Sequence, residues 1–259
     1  GGAIVADSTA ASEREEAVSK SRFLFSRRVE FDLLETLRYE RGIGYRWMKE
    51  HLARMAASAD YFGRWWDADA VREALEGAVT GIEADLAVTG SEAARVRLLV
   101  SREGGAKVEW VSLLDGEGGP TTLMLAEKRT DADDVFLYHK TTHRSVYEEG
   151  LREAHERGHF DALYLNTRGE VTECSRANVV ALLDGEWVTP PLACGLLPGL
   201  WREERLRRGL AVERVIDLHD LLRAERVVIG NSVRGAMPVA SLDLGRGRAV
   251  EWPRRQRQA

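Results

Sequence analysis

The chain has 259 residues, 44% of them hydrophobic, and a formal net charge of −5. That length suits one large domain or two lobes of about 100–150 residues, and the acidic balance excludes a global basic footprint for nucleic acid. Apolar runs such as residues 179–183 fall far short of the roughly 20 residues a bilayer span requires. Two cysteines, Cys174 and Cys194, make neither a disulfide framework nor metal-ligand spacing, so a cytoplasmic enzyme without a metal is expected. Of the 37 basic residues only five are lysines, which leaves few candidates for lysine-dependent chemistry.

In chain order, residues 31–39 read as a buried strand or the start of a strand–helix unit, followed by a turn at 41–44. Leu52, Met55, Ala56 and Ala59 recur at helical spacing, and a second helix is expected over 68–86. Residues 95–100, 107–114 and 121–126 read as strands of one antiparallel sheet. The charged stretch 127–134 is a candidate linker. After it, 135–139 reads as a short apolar strand ending on Lys140, with Thr141 or Thr142 capping a helix whose buried face is Val146, Leu151 and Ala154. Residues 162–166 with 171–173, and 178–183 with 187–189, flank the turn signals Thr167-Arg168-Gly169 and Asp184-Gly185. A helix follows Pro198, then a strand over 212–216, a short helix over 218–224 and a strand over 227–229. The tail 245–259 is basic and expected to be loose, with Trp252 as an anchor. The expected fold is α/β (α+β) in two lobes: a small lobe over 25–126 and a larger one over 135–259, with a cleft between them.

Lys140, between an apolar run and a helix start, is partly desolvated, which favours the neutral nucleophilic amine. Alone, such a lysine is usually a surface charge. The surrounding text, Tyr138-His139-Lys140-Thr141-Thr142-His143-Arg144, is followed 33 residues past the lysine by Thr172-Glu173-Cys174-Ser175-Arg176-Ala177-Asn178. Together these resemble the fold-type IV pyridoxal 5′-phosphate enzymes, the class IV aminotransferase family. The resemblance implies a Schiff base between Lys140 and the cofactor, and Glu173 paired with the pyridine nitrogen. A carboxylate there keeps that nitrogen protonated and the ring electron-accepting.

Three further segments extend the resemblance. His51-Leu52-Ala53-Arg54-Met55 is similar to the family's HLxRL helix, which implies that Arg54 reaches the phosphate. Gly195-Leu196-Leu197-Pro198-Gly199-Leu200-Trp201-Arg202 is similar to its phosphate-cradling turn, implying contacts from the Leu200 and Trp201 amides at a helix start. Ile229-Gly230-Asn231-Ser232 falls where a hydroxyl meets the phosphate, implying Ser232, with Asn231 a cofactor or carboxylate neighbour. Threonine is usual in the last two elements, so Trp201 and Ser232 depart from the pattern.

Within the family, Thr172-Glu173-Cys174 with Ala177-Asn178, and Asn231 with Met237-Pro238-Val239, look closest to aminodeoxychorismate lyase. Residues 31–38, FDLLETLR, resemble the lyase part of fused synthase–lyase chains. The segment 1–24 resembles the C-terminus of aminodeoxychorismate synthase component I, implying a remnant of such a fusion partner. The implied reaction belongs to folate biosynthesis and converts 4-amino-4-deoxychorismate to 4-aminobenzoate and pyruvate. Lys140 would be the base, Thr36 would protonate the leaving group, and Arg234 would meet a substrate carboxylate. The alternatives are a D-amino acid or branched-chain aminotransferase and a non-catalytic module supporting a synthase. A homodimer is implied by the family, and neither a nucleic acid nor a membrane partner is expected.

Overall fold

Side chains alternate in direction along the first strand, β1 (Leu33–Glu40), so that Leu33, Leu37 and Tyr39 share one buried face. The structure is a computed structural model that describes residues 29–114 and 120–253. The synthase-like segment 1–24 lies outside the described residues. β1 is flanked by β2 (Gly44–Tyr45) and β3 (Ala93–Val100), and β3 pairs with β4 (Ala106–Ser112), giving an antiparallel sheet ordered β2-β1-β3-β4.

Two helices cover the apolar face of that sheet. α1 (Met48–Tyr61) contributes Leu52, Met55 and Ala59, and α2 (Ala68–Thr89) contributes Val71, Leu75, Ala78, Ile82 and Leu86. The three- and four-residue steps keep each apolar stripe on one side of its helix. α2 starts where Asp67 Oδ1 accepts from the Asp69 and Ala70 amides at 3.0 Å. It ends at Gly90, whose φ of 68° suits a residue without a Cβ.

The larger layer is a nine-stranded sheet ordered β10-β9-β8-β11-β12-β5-β6-β7, with β13 paired to β12. Its strands are β5 (Thr121–Leu125), β6 (Asp161–Leu165), β7 (Val171–Cys174), β8 (Asn178–Leu183), β9 (Glu186–Thr189), β10 (Val212–Glu213), β11 (Arg226–Asn231), β12 (Gly235–Gly245) and β13 (Arg248–Glu251). Because β7 also pairs with β8, six of these strands close on themselves, β8-β11-β12-β5-β6-β7. The closing seam is one register pair, Glu173 opposite Asn178. Alternate residues fill the inside, among them Leu163, Leu165, Val179, Ala181, Ile229 and Leu242. The helices are α3 (Ser145–Glu156), α4 (Leu200–Arg207) and α5 (Leu218–Arg223). The Asp184-Gly185 turn joins β8 and β9 with both φ values positive, 54° and 80°, which matches the twist of the strands.

Several expectations need correction. Thr121–Leu125 does not join β3 and β4; it runs parallel to both β6 and β12 in the larger sheet. Parallel neighbours need a crossover, and the β5-to-β6 connection is the one that carries Lys140 and α3. Residues 135–139 are not a strand. Asp134 accepts from the Phe136 amide at 2.9 Å and winds Val135–Leu137 into a 3₁₀ turn. Neither threonine caps α3: Thr141 Oγ1 accepts from the His143 amide at 3.2 Å, and Thr142 Oγ1 accepts from the Asp32 amide at 2.9 Å. The buried face of α3 is Tyr147, Gly150 and Ala154, with Val146 and Leu151 half-buried. The expected loose tail contains β13, and Trp252 is buried, donating Nε1–H to the Ala224 carbonyl at 3.0 Å. Among the described residues no helix is long and apolar enough to cross a membrane.

Candidate active site

The crossover holds Lys140 by its backbone. The Leu34 amide donates to the Lys140 carbonyl at 2.9 Å, and the Thr142 amide donates to the Asp32 carbonyl at 2.9 Å, so the start of β1 fixes the segment from the other layer. The lysine side chain is half-buried and faces a cavity of about 400 Å³. Burial, reinforced by Arg144, pulls its pKa down to about 7, although Glu35 and Glu173 pull the other way. A neutral amine is therefore accessible near neutral pH.

Glu173 lines the same cavity from the β7–β8 seam. Burial pushes its pKa up to about 7, opposed by hydrogen bonds to its carboxylate. Oε1 accepts from the Tyr147 hydroxyl at 2.8 Å and the Leu197 amide at 3.1 Å, and Oε2 accepts from Asn178 Nδ2 at 3.2 Å. Burial beside Glu173 pushes the Tyr147 hydroxyl well above its ordinary pKa, so it stays a donor. The result is a carboxylate fixed in place and still suited to one more cationic or N–H partner.

Arg54 projects from α1 and is oriented by Glu35, which lies on the core face of β1. Arg54 Nε donates to Glu35 Oε1 at 2.8 Å and Nη2 to Oε2 at 2.7 Å, a bidentate pair. His51 Nδ1 completes the group at 2.7 Å from Glu35 Oε2. Burial raises the Glu35 pKa, but Arg54 and His51 outweigh it and hold the carboxyl far below the usual range. The third contact, Arg54 Nη1 to the Pro198 carbonyl at 2.8 Å, ties α1 to the turn before α4.

That turn leads into α4 without a side-chain cap on Gly199, so the first amides of the helix, at Leu200 and Trp201, have no capping partner and can meet an anion. A Cβ on Gly199 would overlap Asn178 Oδ1, so glycine allows the turn to approach the seam. The Trp201 side chain is buried with Val180 and Ala211, and its ring fills the space a Cβ on Gly230 would need.

The structure brings Thr36, Arg54, Lys140, Glu173, Leu200, Asn231, Ser232 and Arg234 to one cavity lining; the Trp201 side chain is not part of it. Ser232 Oγ donates to the Thr36 carbonyl at 3.1 Å, so the hydroxyl joins its turn to β1. Asn231 is engaged at both ends of its amide. Nδ2 donates to the Arg176 carbonyl at 3.0 Å, and Oδ1 accepts from the Val233 and Arg234 amides at 3.0 and 2.9 Å. Sequence reasoning missed Glu35, Tyr147 and Asn178 as site residues. Glu35 carried one signal, a charged residue in phase with the buried leucines of β1.

The model of the family described as amino-transferase class IV matches residues 32–242. A curated Schizosaccharomyces pombe protein, provisionally named aminodeoxychorismate lyase, is 30% identical over 211 residues, which is 79% of this chain and 87% of that protein. A Mesorhizobium loti structure, provisionally named an amino-acid aminotransferase, is 34% identical with a TM-score of 0.73, covering 83% of this chain and 100% of its own. A Legionella pneumophila structure, provisionally named 4-amino-4-deoxychorismate lyase, shares the fold with a TM-score of 0.66 at 20% identity, over 86% of this chain and 85% of its own. With the family's pattern running from β1 to β12, the chain belongs to the class IV aminotransferases.

Proposed function

We propose that this chain is a pyridoxal phosphate-dependent lyase that converts 4-amino-4-deoxychorismate to 4-aminobenzoate and pyruvate. The observation that carries the reading is the charge of the cavity. Its lining holds seven lysine and arginine side chains and two glutamates, in a chain of net charge −5. Such a site favours a phosphorylated cofactor together with a dianionic substrate over a neutral zwitterionic amino acid. The curated relative with the lyase name, aligned over most of both chains, supports the same reading.

The donor set fits the cofactor. Lys140 offers a half-buried amine for an aldehyde, Glu173 a fixed carboxylate for a ring nitrogen, and Arg54 with the Leu200 and Trp201 amides a cationic cradle for a phosphate. When bound, the cofactor supplies an electron-accepting ring. Lys140 Nζ, whose pKa is pulled down to about 7 so that a large share of it is neutral there, takes the proton from the substrate carbon bearing the amine. Thr36 lines the cavity, and in this reading its hydroxyl protonates the departing oxygen while Lys140 relays the proton. Loss of that C–H and of enolpyruvate from the adjacent carbon leaves an aromatic ring, so no net oxidant is needed. Glu35 keeps Arg54 extended toward the cavity, and Tyr147 and Asn178 hold Glu173. We extend the proposal to a cytoplasmic homodimer working with, or fused to, aminodeoxychorismate synthase component I.

A second reading, an amino-acid aminotransferase, is favoured by the likeness to the Mesorhizobium loti structure. The two separate when holoenzyme is given 4-amino-4-deoxychorismate with no keto acid. The lyase forms 4-aminobenzoate and pyruvate in equal amounts, and Lys140→Ala lowers the rate by at least about 10²–10⁴-fold and removes the cofactor's visible absorbance. Amino-group exchange between D-alanine or leucine and 2-oxoglutarate, without aromatic amine formation, overturns it.

A further inference from the structure

Glu173 and Asn178, the register pair that closes the ring of strands, are joined by the turn 174–177. The Cys174 amide donates to the Ala177 carbonyl at 2.8 Å and closes the turn on itself. Cys174, Ser175 and Ala177 are buried, so the remaining amides of the turn need partners from elsewhere in the protein. Fully buried Asp161, at the start of β6, supplies them. Its Oδ1 accepts from the Ser175 amide at 3.1 Å and its Oδ2 from the Arg176 amide at 3.2 Å. Oδ1 also accepts from the Ala162 amide at 2.8 Å. β6 meets β7 through Leu163 opposite Cys174, which places Asp161, just before them on β6, beside the turn. Burial raises the Asp161 pKa, opposed by Arg176, whose Nε lies 3.9 Å away, and by these amides. Amide donors spread over both oxygens suit a carboxylate, whereas a carboxamide would turn its own N–H groups toward one of them.

The same turn is held from its other side. Arg144, just before α3, donates Nη2–H to the Ser175 carbonyl, so both peptide groups of Ser175 are tied to charged side chains. What the turn controls is the contact between its two ends, Asn178 Nδ2 to Glu173 Oε2. At 3.2 Å this bond already sits at the long end of the normal range. Tyr147 and the Leu197 amide both hold Oε1, so the orientation of the second oxygen depends on Asn178. A shift of about 0.5 Å in the turn carries Asn178 out of reach and leaves the carboxylate pinned at one oxygen only.

We infer that Asp161 is a positioning residue for Glu173: by capping the 174–177 turn it sets the separation of Glu173 and Asn178, and so aims the carboxylate at the nitrogen of a bound pyridine ring. The inference rests on the reading above that Glu173 meets the cofactor's ring nitrogen. Asp161 does not line the cavity, so it acts through the turn and not by touching the ligand.

The test compares binding of pyridoxal 5′-phosphate with that of its 1-deaza analogue, in which a C–H replaces the ring nitrogen, to the full chain freed of cofactor. Thermal unfolding confirms that each variant is folded. The parent is expected to prefer the nitrogen ring about 10–100-fold, the worth of one hydrogen bond to a charged group. Asp161→Asn should cut that preference about 3–10-fold. Asp161→Glu, which keeps the charge but moves both oxygens by one methylene, should cut it as well, because position is at work. Glu173→Gln should remove most of the preference, and adding Asp161→Asn to it should change nothing further, since the two residues act through one contact. A merely structural role for Asp161 weakens both ligands equally and overturns the inference. So does a further fall in preference in the double variant, or the failure of both Asp161 variants to fold. A parent that binds both rings alike overturns the inference together with the assignment of Glu173 to the ring nitrogen. Binding is read without turnover, so the lyase reading is judged separately. A chain that forms 4-aminobenzoate but keeps its preference in Asp161→Asn refutes the positioning role alone. A chain that only exchanges amino groups but loses the preference refutes the lyase reading alone.

Discussion

Replacing Glu35 with glutamine isolates the residue that orients Arg54. Glu35 is 1% exposed and accepts three hydrogen bonds, from Arg54 Nε and Nη2 and from His51 Nδ1. Glutamine keeps the volume but removes the charge and turns one acceptor into a donor facing donors. Arg54 then loses its bidentate partner, and fully buried His51, whose Nε2 has no hydrogen-bond partner, loses its remaining one. Breaking a buried ion pair by removing one partner costs about 3–5 kcal/mol. For a domain of this size that is a fall in Tm of about 6–20 °C. As a control, Lys107 is 71% exposed in its pair with Glu109, and Lys107→Gln should cost less than about 1 kcal/mol. The assay is thermal unfolding of the cofactor-free protein, followed by titration with pyridoxal phosphate, for which Glu35→Gln should also weaken affinity at least about tenfold. The sign with pH follows from the depressed folded pKa. The Glu35 contribution is present above its ordinary value of 4.5 and is lost as the pH falls below it, so the variant flattens the acid limb of the stability curve. A Tm change under about 2 °C together with unchanged cofactor affinity would refute the assignment.

Two further predictions concern the same cavity. Glu173 is raised from 4.5 to about 7, so the unfolded chain releases its proton first and the cofactor-free protein loses stability as pH rises between those values. Lys140 is lowered from 10.5 to about 7, so the unfolded chain binds the extra proton and stability returns as pH rises from 7 to 10.5. Urea unfolding across pH 4.5–10.5 should show a minimum near 7, with Glu173→Gln removing the acid-side slope and Lys140→Met the alkaline one; a flat profile sinks the assignment. Gly199→Ala should displace Asn178 and with it the Glu173 carboxylate, costing about 1–3 kcal/mol. Titration should then show weakened pyridoxal phosphate binding, and unaltered binding would mean that the turn has room to spare.

The candidate site was legible in the sequence where its pattern is local. A lysine before a helix, a glutamate at a strand end and a glycine-rich turn opening a helix are short-range patterns, and Lys140, Glu173 and Leu200 at the start of α4 all line the cavity. Helical periodicity placed α1 and α2 for the same reason, since an apolar stripe is set by spacing along one segment. Tertiary structure decided the rest. Whether Thr121–Leu125 joins the small sheet or the large one depends on partners such as Asp161, opposite Leu123, and Val239, opposite Thr121, which alternation within five residues cannot specify. The anchoring of Asn231 depended on the fold likewise: its amide meets the Arg176 carbonyl only because the β7–β8 seam lies beside β11. Glu35 was hidden because a carboxylate on a core face has meaning only once His51 and Arg54 arrive from another element to compensate its burial. Sequence set which groups can react. Packing set which of them are desolvated, paired and held at the cavity, because burial and charge compensation depend on residues distant along the chain.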